Sequence, residues 1–230
     1  PIWQGIRVLN DPARVLIRYG LLRRLYDEGI NGFNAYRAEE GTPDCRWPAF
    51  LRTDGDHITP LPELYESRDS LEQGIAKAVA AGIPLSRLLA VEFAAETVEG
   101  GLYKKYSSFR VGPESFAHTC VHDTDWIAKD GKMGIGPPEM YEEEYRVVCE
   151  NPYGSAVARA FDIAGVDYGR IDFGLVGGRV QIYEINVNPH VKFGRENPVP
   201  KRVESYDVFR RNYLHALKAI ETPGVTARGG

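Results

Sequence analysis

Four residues in the stretch 169–190, GRIDFGLVGGRVQIYEINVNPH, are of types that handle phosphate and hard metal ions: Arg170, Asp172, Glu184 and Asn186. Two runs rich in β-branched and aromatic residues flank Gly177-Gly178, the pattern of a β-hairpin with a tight turn. On a strand, residues two apart share a face, so Glu184 pairs in direction with Asn186 and Arg170 with Asp172. Whether the two pairs meet depends on the turn. A two-residue Gly177-Gly178 loop sets Asp172 opposite Tyr183 and sends Glu184 to the other face. A three-residue loop through Arg179, with glycine supplying positive φ, sets Asp172 opposite Glu184, and this is the expected register. It gathers two carboxylates and an amide oxygen, hard ligands that suit Mg2+ or Mn2+ together with substrate phosphates. Arg170 adds the positive charge that phosphate handling needs. The same acidic pattern also occurs on solvent-facing strands that bind nothing, so the surrounding chain has to decide.

The punctuation of the chain indicates what positions these residues. Asp11-Pro12 reads as an N-cap followed by proline at the first helical position, and Gly29 as the stop, with Val15, Tyr19, Leu22 and Tyr26 at helical spacing between them. Further helices are expected over about 67–82, 151–165 and 205–220. Strands are expected over 47–52, 88–94, 103–111, 115–121, 169–176 and 180–187, and the Gly- and Pro-rich residues 130–140 read as a loop. This order predicts an α+β fold with antiparallel sheets. The expected division is an N-terminal helix and linker (1–32), a smaller lobe (33–98) and a larger lobe with the hairpin (99–230).

Bulk composition narrows the function. The 230 residues are 43% hydrophobic and 26% charged with a formal net charge of −4, which argues against recruitment to nucleic acid or to an acidic membrane surface. No apolar run approaches the roughly 18 residues that span a bilayer. Cys45, Cys120 and Cys149 are widely spaced with no CxxC, which fits a reducing, cytoplasmic compartment. The sequence begins at Pro1 without an initiator methionine, so it is expected to start within a longer protein. A dimer is compatible with this composition.

Gly169-Arg170-Ile171-Asp172-Phe173, followed by Glu184-Ile185-Asn186-Val187-Asn188-Pro189, resembles the metal-binding hairpin of ATP-grasp enzymes, especially the D-alanine–D-alanine ligase and glutathione synthetase type. The resemblance is strong over 169–189 and extends weakly over residues 10–190. It implies two lobes clasping ATP, with Asp172, Glu184 and Asn186 holding two Mg2+ (or Mn2+) ions and Arg170 contacting the acyl phosphate. It also implies that Arg52, ending AFLR, and Arg18 bind phosphates, both as arginine where the family usually has lysine. Glu92-Phe93 would frame adenine, with Glu96 or Glu99 on the ribose, and His118 would line the nucleotide or acceptor site. Each of these upstream residues also reads as an ordinary surface or strand-end residue.

Two departures from the family pattern stand out. The place of the usual Gly- and Ser-rich phosphate loop reads TDGDHITP (53–60), where His57 is a candidate donor, and the usual preceding α/β domain is expected to be absent from these 230 residues. On the strand 103–111, Lys104, Tyr106 and Arg110 share one face and Lys105, Ser107 and Phe109 the other. Parity does not say which face lines the cleft; Lys105 is the nucleotide-binding candidate. His118-x3-His122 with Cys120 between them invites a zinc reading, but no second ligand pair follows. Trp126, in one segment with Lys129, reads as core packing, and Lys201-Arg202 with Arg210-Arg211 as the solvated face of the last helix. No nucleophile triad is supported. The functional expectation is an ATP-dependent ligase joining a small-molecule or peptide carboxylate to an amine or thiol. The alternatives are a phosphotransferase making a phosphate ester and a non-catalytic nucleotide-binding regulatory module.

Overall fold

Two antiparallel sheets carry the cleft. The structure, a computed structural model, describes residues 8–55, 61, 63–128, 134–191, 193 and 197–221. The first sheet has the order β1-β4-β2-β3, from β1 (Ala35–Arg37), β2 (Ala49–Thr53), β3 (Leu64–Tyr65) and β4 (Leu88–Glu92). β2 and β4 are buried along their whole lengths because both faces are covered. Leu51 and Ala90 pack with Leu71 of α2 (Arg68–Ala80), while Phe50 and Val91 face the other way, with Phe33 and Leu22. Such two-sided burial explains why AFL and LLAV read as unbroken apolar runs. α2 opens on a reciprocal Ser67–Ser70 capping box, close to the expected start.

The second sheet comprises β5 (Thr97–Val98), β6 (Leu102–Val111), β7 (Glu114–Asp123), β8 (Tyr168–Val176) and β9 (Arg179–Asn186). β6 is central, paired with β7 on one side and β8 on the other; β9 continues beyond β8, and β5 pairs with the start of β6. Val147 and Val148 of α3 (Pro138–Glu150) and Val157 and Phe161 of α4 (Gly154–Ala164) pack on Tyr106, Ile171 and Phe173. α5 (Pro200–Glu221) lays Phe209 and Tyr213 on Phe109 and Phe116. α1 (Arg18–Asp27) serves both cores, Leu22 toward the first sheet and Leu21 and Leu25 toward the second. The fold is α+β, as expected.

Several elements differ from the sequence expectation. Asp11 caps only a single turn, its side chain accepting from Ala13 N, and the chain then runs extended, with Leu16 N bonded to Ala164 O at the end of α4. α1 therefore starts at Arg18, where Asp54 of the first sheet's loop accepts from Tyr19 N. A tertiary partner, not a local cap, sets that start. α3 was missed because one of its buried positions is Glu144, which interrupts the apolar periodicity. α5 begins five residues before the expected 205. β1, β3 and β5 have two or three residues each, too short for periodicity to register.

The hairpin reaches the expected pairing by a different route. Val176 pairs with Arg179 across a two-residue turn in which Gly177 (φ 55) and Gly178 (φ 75) both take the left-handed backbone that such a turn demands. The register holds through Phe173–Ile182, then shifts, so that Asp172 faces Glu184 and Tyr183 is an extra, bulged residue. The three-residue loop is thus corrected to a tight turn plus a bulge. A second shift, between Ser107 and Ser108, pairs them with Thr119 and Ala117 and leaves His118 as the extra residue of β7.

Candidate functional site

The first and second sheets enclose a cavity of about 680 Å³ whose walls include both bulged residues, His118 and Tyr183. One end is charged. Arg170 grips Asp172 with two bonds, Nε–Oδ1 at 2.8 Å and Nη2–Oδ2 at 3.2 Å, and Lys105 Nζ lies 3.4 Å from Oδ2. Across the hairpin, Glu184 Oε2 receives Arg52 at 3.0 Å and Arg18 at 3.4 Å. Arg52 is on β2 and Arg18 opens α1, so this pair ties the first sheet to the second. Arg18 also donates to Thr53 O at 2.5 Å. The pairing of β6 with β8 sets Ser107 opposite Asp172, which puts Lys105, two residues away, on the same face. Lys104 points the other way, to Glu143 of α3 at 2.6 Å, which settles the parity question.

These contacts tune the charges. Asp172 is 3% exposed and Glu184 retains 35% side-chain exposure. Burial opposes ionisation of Glu184, but Arg52, Arg18 and Lys105 together outweigh it and hold the carboxyl below the ordinary carboxylate range. Burial, then repulsion from Arg18, lowers the Arg52 pKa, and Glu184 works against both. Four cations around two carboxylates leave a formal charge of +2 at this end. Asn186 sits opposite Arg170 and also lines the cavity, its Oδ1 accepting from Asn188 N at 2.9 Å. An amide oxygen has a second lone pair to offer a ligand. Among the described residues no three His, Cys, Asp or Glu side chains gather as a metal site; this end of the cavity brings together two carboxylates and an amide.

The other end of the cavity is apolar and aromatic. Trp126, from the segment after β7, packs on Phe50 (ring centroids 4.9 Å apart) and edge-on to Phe93 (5.6 Å), so it lines the cavity between the sheets as well as packing. Phe93 lines this wall. Glu92 does not: its carboxylate accepts from Asn34 N, Arg46 N and Tyr36 Oη, each at 3.0 Å, on the far side of β4. The strand alternates, so Val91 and Phe93 reach the cavity and Glu92 is turned away. Glu96 is likewise engaged, accepting from Gly177 N at 2.9 Å. Asp54, in the expected phosphate loop, holds Tyr19 N and Arg37; His57 and Lys129 lie outside the described residues.

His118 and His122 do not converge. The bulge turns His118 to the cavity, where Nδ1 is 3.0 Å from Ser107 Oγ and the ring packs on Phe209 and Tyr206. His122 faces the helices beside Lys104. Burial, with repulsion from Lys104 and Arg202, pushes its pKa down to about 4. Arg202, expected in solvent, is partly buried instead: it donates to Cys120 O and grips Glu144 through Nε (3.1 Å) and Nη2. Sequence reading also missed Tyr206, Asn188 and His190 as cavity residues, since each gets there by loop or helix placement that no periodicity encodes.

Similar solved structures include the RimK-domain ATP-grasp protein of Sphaerobacter thermophilus (17% identity, TM-score 0.49, 89% of this chain and 71% of that one). D-alanine–D-alanine ligase of Bacillus anthracis complexed with ATP aligns at 12% identity and TM-score 0.47, over 90% of this chain and 68% of that one. L-amino acid ligase of Bacillus licheniformis aligns at 12% and 0.46, over 74% of this chain but only 40% of its own length. No protein-family model and no curated protein sequence matches the chain. Among the described residues no helix is long and apolar enough to cross a membrane.

Proposed function

We propose that this chain binds MgATP between its two sheets and serves an ATP-dependent ligase that activates a carboxylate as its acyl phosphate for attack by an amine or thiol. The observation that carries the reading is the pairing of Asp172 with Glu184 inside a ring of Arg18, Arg52, Lys105 and Arg170, at one end of a cavity whose other end is aromatic. The donor set fits the cofactor. Two carboxylates and an amide oxygen are hard ligands for Mg2+ or Mn2+, and the surplus of positive charge suits a polyphosphate more than a bare cation. A metal held there by these residues would supply charge neutralisation for phosphate oxygens, and ATP would supply the phosphoryl group.

The protein's own residues then have distinct roles. Asp172, Glu184 and Asn186 would hold the metal. Arg52 and Arg18 exchange their bond to Glu184 for phosphate oxygens, which keeps each guanidinium paired throughout. Trp126, Phe50 and Phe93 form the apolar wall against which a heterocyclic base packs, and Lys105 stays near Asp172 to balance charge. Arg170, already oriented by Asp172, presents a planar donor fork where negative charge develops on the reacting carboxylate. The two domains assigned from sequence, 33–98 and 99–230, would then be the two jaws of the clasp, except that β5 (Thr97–Val98) pairs within the second sheet and so goes with the larger one.

The test is interception. The protein, supplied with MgATP, hydroxylamine and a panel of amino acids and peptides, should form a hydroxamate from any carboxylate that stimulates ADP release. ADP release with the phosphate ending on a substrate hydroxyl would make it a phosphotransferase. Nucleotide binding with no turnover on any substrate would make it a regulatory module.

A further inference from the structure

β9 contains one residue more than its pairing needs, and the surplus is not explained by the carboxylate pair. Counting back from the tight turn, a regular ladder runs Val176–Arg179 to Phe173–Ile182, and the next residue of β9 would face Asp172. Without Tyr183, that next residue is Glu184. A bulge-free hairpin therefore gives the same Asp172–Glu184 pair. The bulge disrupts the ladder, a local penalty, and what it adds is a tyrosine.

Tyr183 reaches the segment Phe93–Glu96, where the chain crosses from the first sheet to the second. Its hydroxyl donates to Ala94 O at 2.9 Å, and its ring lies over Gly174 of β8 and 6.3 Å from Phe33. Gly174 makes room for it: a Cβ at that position would strike the Tyr183 hydroxyl and ring. Three neighbouring contacts hold the same edge of the hairpin. Gly177 N donates to Glu96, Asn31 exchanges two bonds with Ile182 (2.9 and 2.8 Å), and Gly32 N donates to Gln181 at 2.7 Å. The crossing segment is thus fixed to β9 one residue before Glu184, and it carries Phe93 of the aromatic wall.

We infer that Tyr183 is a positioning residue: inserted as the extra residue of β9 and accommodated by Gly174, it fastens the crossing segment at Ala94 and so sets the span between the aromatic wall and the Asp172–Glu184 pair. The inference rests on the proposed function only for what that span accommodates, a ligand with a base at one end and phosphates at the other. A ligand that uses the charged end alone does not need the span.

The experiment compares two probes, Mn2+ with ADP and Mn2+ with tripolyphosphate, by calorimetry on the unmodified chain, Tyr183→Phe, Gly174→Ala and a chain with Tyr183 deleted. Losing one hydrogen bond in Tyr183→Phe should weaken ADP about threefold to tenfold and leave tripolyphosphate within about twofold. Deletion of Tyr183, which keeps Asp172 opposite Glu184, and Gly174→Ala, which displaces the ring, should weaken ADP by about tenfold or more with the same selectivity. Hydrogen exchange at residues 93–97 should speed up in Tyr183→Phe without any ligand. Equal weakening of both probes would mean general damage and overturn the inference, as would unchanged ADP affinity with unchanged exchange. If the unmodified chain binds neither probe, the proposed function falls and the exchange result alone decides: faster exchange at 93–97 supports the strut, and unchanged exchange refutes it. Should the deletion variant not fold, Tyr183→Phe carries the test.

Discussion

Glu184→Gln keeps shape and removes one charge, and the surroundings of Glu184 make its consequences calculable. Its Oε2 is the shared acceptor of Arg52 and Arg18, whose side chains are 8% and 11% exposed. Breaking a fully buried pair costs about 3–5 kcal/mol and a hydrogen bond to a charged group contributes about 1.5–3 kcal/mol. The 35% exposure of Glu184, and the ability of the glutamine oxygen to accept from one arginine, pull the expected loss to about 1–2 kcal/mol. In a chain of this size that lowers Tm by roughly 3–6 °C. The sign should reverse with anion. Two arginines released from Glu184 are left seeking oxygen, so tripolyphosphate with chelator should bind the variant at least as tightly as the unmodified chain, and at about a hundredfold over its Kd should add about 2.7 kcal/mol of stability. Metal-dependent ATP consumption should fall by at least about a hundredfold. Thermal melts with and without tripolyphosphate, beside calorimetry of Mn2+, separate these effects. Unchanged Tm together with unchanged Mn2+ affinity would show that Glu184 is neither the anchor of the arginines nor a metal ligand.

Arg52→Ala should weaken MgATP binding by about 1.5–3 kcal/mol, roughly tenfold to 150-fold in Kd; unaltered affinity by calorimetry removes Arg52 from the site. Arg170→Lys keeps charge but loses the planar fork, so it should bind MgADP nearly normally while product formation drops, and an equal loss in both would assign Arg170 to ground-state binding. His122 predicts a pH dependence of stability. The unfolded histidine takes its proton near 6.5 and the folded one only at about 4, so its contribution is complete above pH 6.5 and lost as pH falls toward 4. Urea midpoints of His122→Gln should therefore vary less between pH 6.5 and 4 than those of the unmodified chain, and parallel curves would refute the assignment.

Candidate residues were legible in the sequence wherever residue type and two-residue spacing were enough. Arg170, Asp172, Glu184 and Asn186 stood out by identity and spacing, and the structure brings them to one end of the cavity; the helices over 67–82 and 151–165 stood out by caps and periodicity. The longer strands of both sheets (β2, β4, β6, β7, β8 and β9) followed from apolar and β-branched runs, and with them the α+β class. Tertiary structure decided what local pattern cannot encode. A bulge changes strand parity without any distinctive residue, so the true hairpin register, the inward turn of His118 and the presence of Tyr183 in the cavity had no signature. Helix α3 was hidden because its buried Glu144 is stabilised by Arg202, 58 residues away in sequence. Glu92 looked available because its partners, Asn34, Tyr36 and Arg46, come from other segments. Local sequence determines which side chains can do chemistry and which face each strand offers. Long-range pairing determines which of them meet, because burial and hydrogen-bond satisfaction are properties of the assembled sheets and not of any one segment.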